Sequence, residues 1–349
     1  MRILADNLIP LLQYFFADQA EILALPFQEI NREAVANSDI LLTRSQLKID
    51  AELLENSALK FIGSCVTGTD HLDIPYLHQQ HIPWYAAEGC NSQSVIEYVL
   101  SLIAACQADE LLALEGLSIG IIGVGRIGSR LNTIFKQLGW TVLLHDPIRA
   151  MNEPDFLHSA LEDLTDCDVI SLHTPLTRSG PYPSYHLIAK TFLESVKPDA
   201  VLINTARGAV IDSKDLLEFG QHLIWCLDVF ENEPGIDLNI MECAYIATPH
   251  IAGHSVQAKQ RGTELVYNAA AKQFNWPAKS MPITRKSVDI DLDSLVWQEL
   301  MLALMDPRTE NQRMKQAMLS CSAATRGSVF SQLRRTYPER FELDYLEFK

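Results

Sequence analysis

Six apolar runs at nearly regular intervals constrain this chain more than any other feature: "LSIGIIGVG", "TVLLHD", "CDVISLHT", "AVLINTAR", "HLIWCLDV" and "AYIATPH". Most are separated by amphipathic stretches such as Leu131 to Leu138 and Ser213 to Phe219. A strand with one wet face alternates polar and apolar residues. These runs scarcely alternate, so both faces are covered, and strands interleaved with helices make a parallel sheet sandwiched between helical layers. Residues 1 to about 90 repeat the alternation with the shorter runs "RILAD", "DILLT", "LKFIGSC" and "IPWYAA", which suggests a second, smaller α/β layer. After Ser280 the pattern gives way to a helical, charge-mixed tail. Within it "LDSLVWQELMLAL" is too apolar to leave in water, and covers either its own core or another copy of the chain. No fixed-period repeat or low-complexity tract is visible.

Composition narrows the function. A length of 349 residues, 48% of them hydrophobic, allows two or three domains with substantial cores. The formal charge of -16, from 28 basic and 44 acidic side chains, argues against nucleic acid or an anionic membrane as partner. Seven cysteines form neither a CxxC pair nor a dense framework, so reduced thiols in a cytoplasmic protein are expected. "MRILADN" carries no cationic leader and no apolar stretch is long enough to span a bilayer. No metal site is expected.

Chemistry enters at "IGIIGVGRIGSRL", where Gly123, Gly125 and Gly128 form G-x-G-x-x-G between an apolar run and a helical one, with Arg126 and Ile127 inside the loop. The glycines permit a tight turn, close approach of a pyrophosphate to backbone amides, and packing of helix on strand. Glycine-rich turns also serve ordinary loops. The strand before, the helix after, and Asp146 closing the next strand favour dinucleotide binding. Asp146 would accept hydrogen bonds from the adenosine ribose and repel a 2′-phosphate, which prefers NAD to NADP, although Arg149 nearby pulls the other way. Asp146 is also a natural turn residue before Pro147.

Ligands of open parallel sheets sit beyond the carboxyl ends of the strands, so the residues that end each run are candidates. The six runs end at the glycine loop, Asp146, Thr174, Arg207, Asp228 and His250. Arg207 can present a planar fork to a carboxylate, or can serve an internal salt bridge. Glu233, just before Pro234, can hold an imidazole in one tautomer and favour its protonated form, or can be a solvated loop residue. His250, in "TPHIAGHS", is by itself more readily a structural group than a catalyst. Together the three have the parts for hydride transfer from an alcohol carbon: an imidazole for the hydroxyl proton, a guanidinium for the neighbouring carboxylate, and a nicotinamide for the hydride.

"GIIGVGRIG", "HTPLT", "NTARGAVID", "LDVFENEP" and "TPHIAG", in that order, resemble the D-isomer-specific 2-hydroxyacid dehydrogenase family. The likeness is strong over residues 1 to 275 and looser in the tail. It implies a Rossmann-type doubly wound parallel sheet inserted into a second, flavodoxin-like α/β domain, plus a small C-terminal α-rich dimerisation segment. The implied division is 1–94 and 255–280 for the substrate domain, 95–254 for the dinucleotide domain and 281–349 for dimerisation, with the two crossovers acting as a hinge. Arg207, Glu233 and His250 are the implied catalytic residues, with NAD as cofactor and Asp146, Thr174, Asp228 and Gly253 among its contacts. The implied partners are a small phosphorylated hydroxy acid, met by Arg44, Ser45 and His254, and a second copy of the chain in a homodimer. Val66 stands where the family usually has a substrate-binding threonine, so Thr67 or a backbone amide would have to substitute; His254 replaces a tyrosine and could still meet a phosphate. A phosphoglycerate or glyoxylate enzyme, and a non-catalytic dinucleotide sensor on the same fold, are the rival readings.

Overall fold

The computed structural model describes residues 1–291 and 295–348. Residues 292–294, which open the apolar run of the tail, and Lys349 lie outside the described residues. The chain divides into two compact units: residues 1–94, 254–289 and 339–349 form the first, and 95–253 with 290–338 the second.

The first unit carries a five-stranded sheet of β1 (Arg2–Asp6), β2 (Glu21–Leu25), β3 (Ile40–Thr43), β4 (Phe61–Ser64) and β5 (Trp84–Ala86). All pairs are parallel, in the order β2-β1-β3-β4-β5. β1, β3 and β4 are buried almost throughout, as expected where helices cover both faces. The long helix Val256–Phe274, capped by the Ser255 hydroxyl on the Ala258 amide, lays Val266, Tyr267, Ala270 and Ala271 onto one face beside Phe15 and Phe16. Each such aromatic contributes about 1.5–3 kcal/mol by leaving water. The helix approaches closely at Gly262, where a methyl would lie 2.3 Å from the Cys65 carbonyl oxygen.

The second unit carries β6 (Ser118–Ile122), β7 (Thr141–His145), β8 (Val169–Leu172), β9 (Val201–Asn204), β10 (Ile224–Leu227) and β11 (Ile246–Ala247), all parallel, in the order β11-β10-β9-β8-β6-β7. The chain steps outward from β6 to β7, then returns to place β8 on the other side of β6. The strand order therefore reverses between β6 and β8, and this switch point is where such sheets open a crevice for ligands. The covered parallel sheets expected from the apolar runs, and the doubly wound order that the family likeness implies, are thus present in both units.

The stretch 281–349 is not a compact body of its own, since its residues divide between the two units. In the second unit the helices Pro307–Leu319 and Arg326–Arg335 bury Met314, Met318, Phe330 and Leu333 in the core of the same chain. Asn311 covers the exposed edge of the sheet: its carbonyl accepts from the Ala247 amide at 2.9 Å and its amide donates to the Tyr245 carbonyl at 3.2 Å. Met301 is likewise buried, and Trp297, Leu302 and Met305 pack on this unit, so much of the apolar run covers its own core. Residues 339–349 close the first unit. There β13 (Leu346–Phe348) pairs in parallel with β12 (Lys286–Val288), and the fully buried Glu342 carboxylate accepts from Ser94 Oγ at 2.8 Å, Ser255 Oγ at 2.9 Å and Arg261 Nη2 at 2.6 Å. Polar oxygens buried this deeply need such partners in place of water.

Candidate active site

The glycine loop leaves β6 at the switch point. Gly123 has φ of 87°, a left-handed conformation that suits glycine, and a methyl on it would lie 2.6 Å from the Thr174 amide nitrogen at the end of β8. A methyl at Gly128 would lie 2.2 Å from the Gly123 carbonyl oxygen, so this residue lets the helix Arg126–Gln137 press against the loop. Gly125, the N-cap of that helix, differs: it is exposed and a methyl there meets nothing. Two glycines thus serve the loop's own packing. The third keeps open the approach to the helix N-terminus, whose amides and dipole favour an anion such as a pyrophosphate.

Asp146, at the end of β7, ties the loop down. Its Oδ2 accepts from the Val124 amide and its Oδ1 from the Arg149 amide, both at 2.9 Å, so it also caps the helix Pro147–Asn152. The Arg149 side chain is engaged with the Val124 carbonyl, Ser129 Oγ and Glu153 at 2.8–2.9 Å. The arginine that pulled towards NADP by sequence is therefore committed to the loop and to Glu153. These residues fit a bound dinucleotide.

Arg207, Glu233 and His250 follow β9, β10 and β11, three neighbouring strands. Arg207 extends from a turn braced by Asn204, whose side-chain carbonyl accepts from the Ala206 amide and whose amide donates to the Arg207 carbonyl, each at 3.0 Å. At Gly208 a methyl would lie 1.9 Å from the Phe230 carbonyl carbon, so the loops carrying Arg207 and Glu233 touch backbone to backbone. Glu233 Oε1 accepts from the Phe230 amide at 2.8 Å, and Oε2 lies 2.8 Å from His250 Nδ1. Burial pushes the Glu233 carboxyl up, but the His250 charge and hydrogen bond, with the Phe230 amide and Arg334, outweigh it and hold it below the usual carboxylate range. A carboxylate that stays ionised on Nδ1 fixes the ring's tautomer and leaves Nε2 for other work.

His250 adopts φ of 56°, with its amide donating to the Asp228 and Thr248 carbonyls at 2.8 and 2.9 Å. The Asp228 carboxylate is buried beneath this turn and accepts from Ile251 N at 2.7 Å, Thr248 Oγ1 at 2.8 Å and Ala252 N at 2.9 Å. Burial raises its carboxyl, against the opposing pull of His250 and these donors. Gly253 follows directly, half-buried. Thr248 also meets the buried Tyr98 hydroxyl, a link that sequence reading missed because the two residues are 150 apart.

In the first unit, Arg44 and Ser45 follow β3. The Arg44 guanidinium pairs with Asp6, Nε to Oδ2 at 3.0 Å, while Ser45 is exposed. The Thr67 hydroxyl is 2.8 Å from Asn91 Oδ1, so its proton is already committed, which weakens it as the stand-in donor for Val66. His254 immediately precedes the Ser255 cap. Lys259 was not singled out by sequence. Burial, Arg44 and Arg340 hold its ammonium below the usual range, and among the described residues it makes no ion pair. A lysine at the end of the first turn of a helix, where the dipole disfavours a cation, was the available signal.

Residues 103–252 match the family described as D-isomer specific 2-hydroxyacid dehydrogenase, NAD binding domain. The fold and this match define an NAD-dependent dehydrogenase of the D-isomer-specific 2-hydroxyacid class. The chain is 38% identical to the erythronate-4-phosphate dehydrogenase of Coxiella burnetii, over 99% of this chain and 94% of that one. It is 40% identical to the same-named enzyme of Pseudomonas savastanoi pv. phaseolicola, over 100% of this chain and 95% of the other. The D-lactate dehydrogenase of Aquifex aeolicus, solved with NAD and lactic acid, superposes with a TM-score of 0.65 at 27% identity, covering 78% of this chain and 96% of that one. The chain belongs to the erythronate-4-phosphate dehydrogenase family.

Proposed function

We propose that this enzyme oxidises the C2 hydroxyl of 4-phospho-D-erythronate with NAD, giving 2-oxo-3-hydroxy-4-phosphobutanoate on the way to pyridoxal 5′-phosphate. The observation that carries this reading is the His250–Glu233 pair, set at the strand end next to the loop of Arg207, in a chain 38–40% identical to enzymes of that name. Gly123, Gly125, Arg126, Ile127, Gly128, Asp146, Thr174, Asp228 and Gly253 hold the dinucleotide in this reading, and the nicotinamide supplies the hydride acceptor.

His250 takes the C2 hydroxyl proton on Nε2. Glu233, ionised against Nδ1, stabilises the imidazolium that forms and keeps Nε2 facing outward. Arg207 receives the C1 carboxylate with its planar fork and sets which hydrogen of the substrate can leave. Arg44, Ser45 and His254 meet the phosphate end, with Thr67 as the weaker candidate. The homodimer is part of the same reading. Ile283 and Val296 of the 281–349 stretch stay 72% and 58% exposed, and a second copy of the chain would cover them. All seven cysteines are free thiols, which suits the cytoplasm.

The deciding experiment follows NADH absorbance after addition of 4-phospho-D-erythronate, with 2-oxoglutarate present to recycle tightly held cofactor. Turnover well above that with 3-phosphoglycerate or glycolate is expected. Faster turnover of either competitor would overturn the substrate assignment, and sedimentation velocity at micromolar concentration tests the dimer.

A further inference from the structure

One titratable cluster in the second unit is not used by this chemistry. His186, with φ of 52°, lies in the segment after β8, and its backbone is stitched to the stretch that follows Arg207. The His186 amide donates to the Ala209 carbonyl at 2.9 Å, Ile188 to Val210 at 3.0 Å, and Asp212 back to Ile188 at 2.9 Å. The His186 ring then reaches carboxylates on two different loops. Nε2 is 2.9 Å from Glu231 Oε1, and Nδ1 is 3.0 Å from Asp212 Oδ2. Tyr185 stacks on the ring with centroids 3.9 Å apart, and the Arg178 guanidinium lies 3.8 Å from the Tyr185 centroid. The ring and both carboxylates are mostly buried, at 25%, 24% and 19% exposure.

Each carboxylate belongs to the mounting of a proposed active-site residue. Glu231 sits between Phe230, whose amide holds Glu233 Oε1, and Glu233 itself. Asp212 caps the helix Ser213–Phe219 and closes the turn that opens at Arg207. These loops touch at Gly208, where no side chain fits. A ring carrying both protons donates to both carboxylates, whereas a neutral ring has one donor and one acceptor.

We propose that His186 is a positioning residue: its ring clamps the Arg207 loop and the Glu233 loop at a fixed spacing, so that the guanidinium orienting the substrate and the carboxylate orienting His250 keep their register. This rests on the roles given to Arg207 and Glu233 above.

The test uses the full chain with His186→Gln, Glu231→Gln and the double variant. For His186→Gln, kcat is expected to fall and KM for 4-phosphoerythronate to rise, lowering kcat/KM by about 10- to 100-fold. NADH affinity, read by fluorescence, should stay within about twofold and the double variant should be no worse than the poorer single, because both changes break one link. Kinetic constants within twofold of wild type, or additive losses in the double variant, would overturn the clamp. A matching loss of NADH affinity would also overturn it, since that marks a general loss of structure. Hydrogen exchange supplies a readout independent of substrate: protection should fall in peptides covering 207–212 and 229–234 together, and unchanged protection sinks the proposal. Absence of turnover in the wild type, with that protection change present, would instead count against the substrate assignment alone.

Discussion

Nδ1 of His250 lies 2.8 Å from Oε2 of Glu233, while the other Glu233 oxygen takes the Phe230 amide at the same distance. The carboxylate is thus held on one side by backbone and on the other holds the ring, so imidazole orientation is inherited from the β10 loop. Replacing Glu233 with Gln should keep the Phe230 bond and lose the charge. We expect kcat to fall about 10²- to 10⁴-fold with NAD affinity little changed, the range associated with a mispositioned general base. His250→Ala should lose at least as much, and steady-state turnover within threefold of wild type in either variant would remove the pair from the chemistry.

Arg207→Lys keeps the charge and loses the fork. Efficiency towards the hydroxy acid should drop about 100-fold or more, mainly through KM, since an ammonium cannot make two parallel bonds to a carboxylate. An unchanged KM in initial-rate measurements would mean that the arginine serves the loop alone.

The glycine loop offers a separation of folding from binding. A methyl at Gly128 would meet backbone at 2.2 Å, so Gly128→Ala should lower the thermal midpoint by several degrees. Gly125, at φ of -79° with open space around its added methyl, should tolerate alanine without loss of stability. Gly125→Ala should nonetheless bind NAD about tenfold or more weakly, because the methyl fills the space that the proposed function gives to the pyrophosphate. Calorimetry and fluorescence titration on the same two samples decide this, and intact NAD affinity in Gly125→Ala would place the dinucleotide elsewhere.

Acid should loosen the first unit through His71. Burial pushes this ring, 3.1 Å from Ser64 Oγ, down to about 4 from the ordinary 6.5. The folded ring resists a proton that the unfolded chain accepts, so its contribution is complete above about pH 6.5 and is lost as pH falls towards 4. The slope is about 1.4 kcal/mol per pH unit, up to about 3 kcal/mol in all. Urea midpoints taken from pH 7 to 4.5 should therefore decline less steeply in His71→Gln than in the wild type; identical slopes would exclude the histidine as the cause.

The helix-covered parallel sheet was legible because buried parallel strands need uninterrupted apolar residues, and little else in a sequence looks like "CDVISLHT" or "AVLINTAR"; its doubly wound connection came from the family likeness. Strand order was not, since an apolar run carries no label for its neighbour; the switch between β6 and β8 emerges only from the pairing. The polar strand ends were legible as candidates for the same reason that the strands were. Their partners were hidden where sequence separation is large. Glu342 meets Ser94 across 248 residues and Ser255 across 87, and no local pattern announces such a link. His186 was hidden differently, because neither a histidine in a loop nor the acids at 212 and 231 stand out singly. Arg149 shows the reverse case: by sequence its charge weakened the preference for NAD, while its bonds to Val124, Ser129 and Glu153 occupy it.

The first unit is assembled from three separated stretches, with Glu342 contributed by the third. During synthesis the ribosome must therefore deliver every residue of the second unit before that carboxylate can reach Ser94 and Ser255. The nascent amino-terminal sheet must wait in an incomplete state, without the return helix or the closing strand. Chaperone dependence and sensitivity to carboxyl-terminal truncation should follow from that schedule rather than from any weakness in the finished molecule.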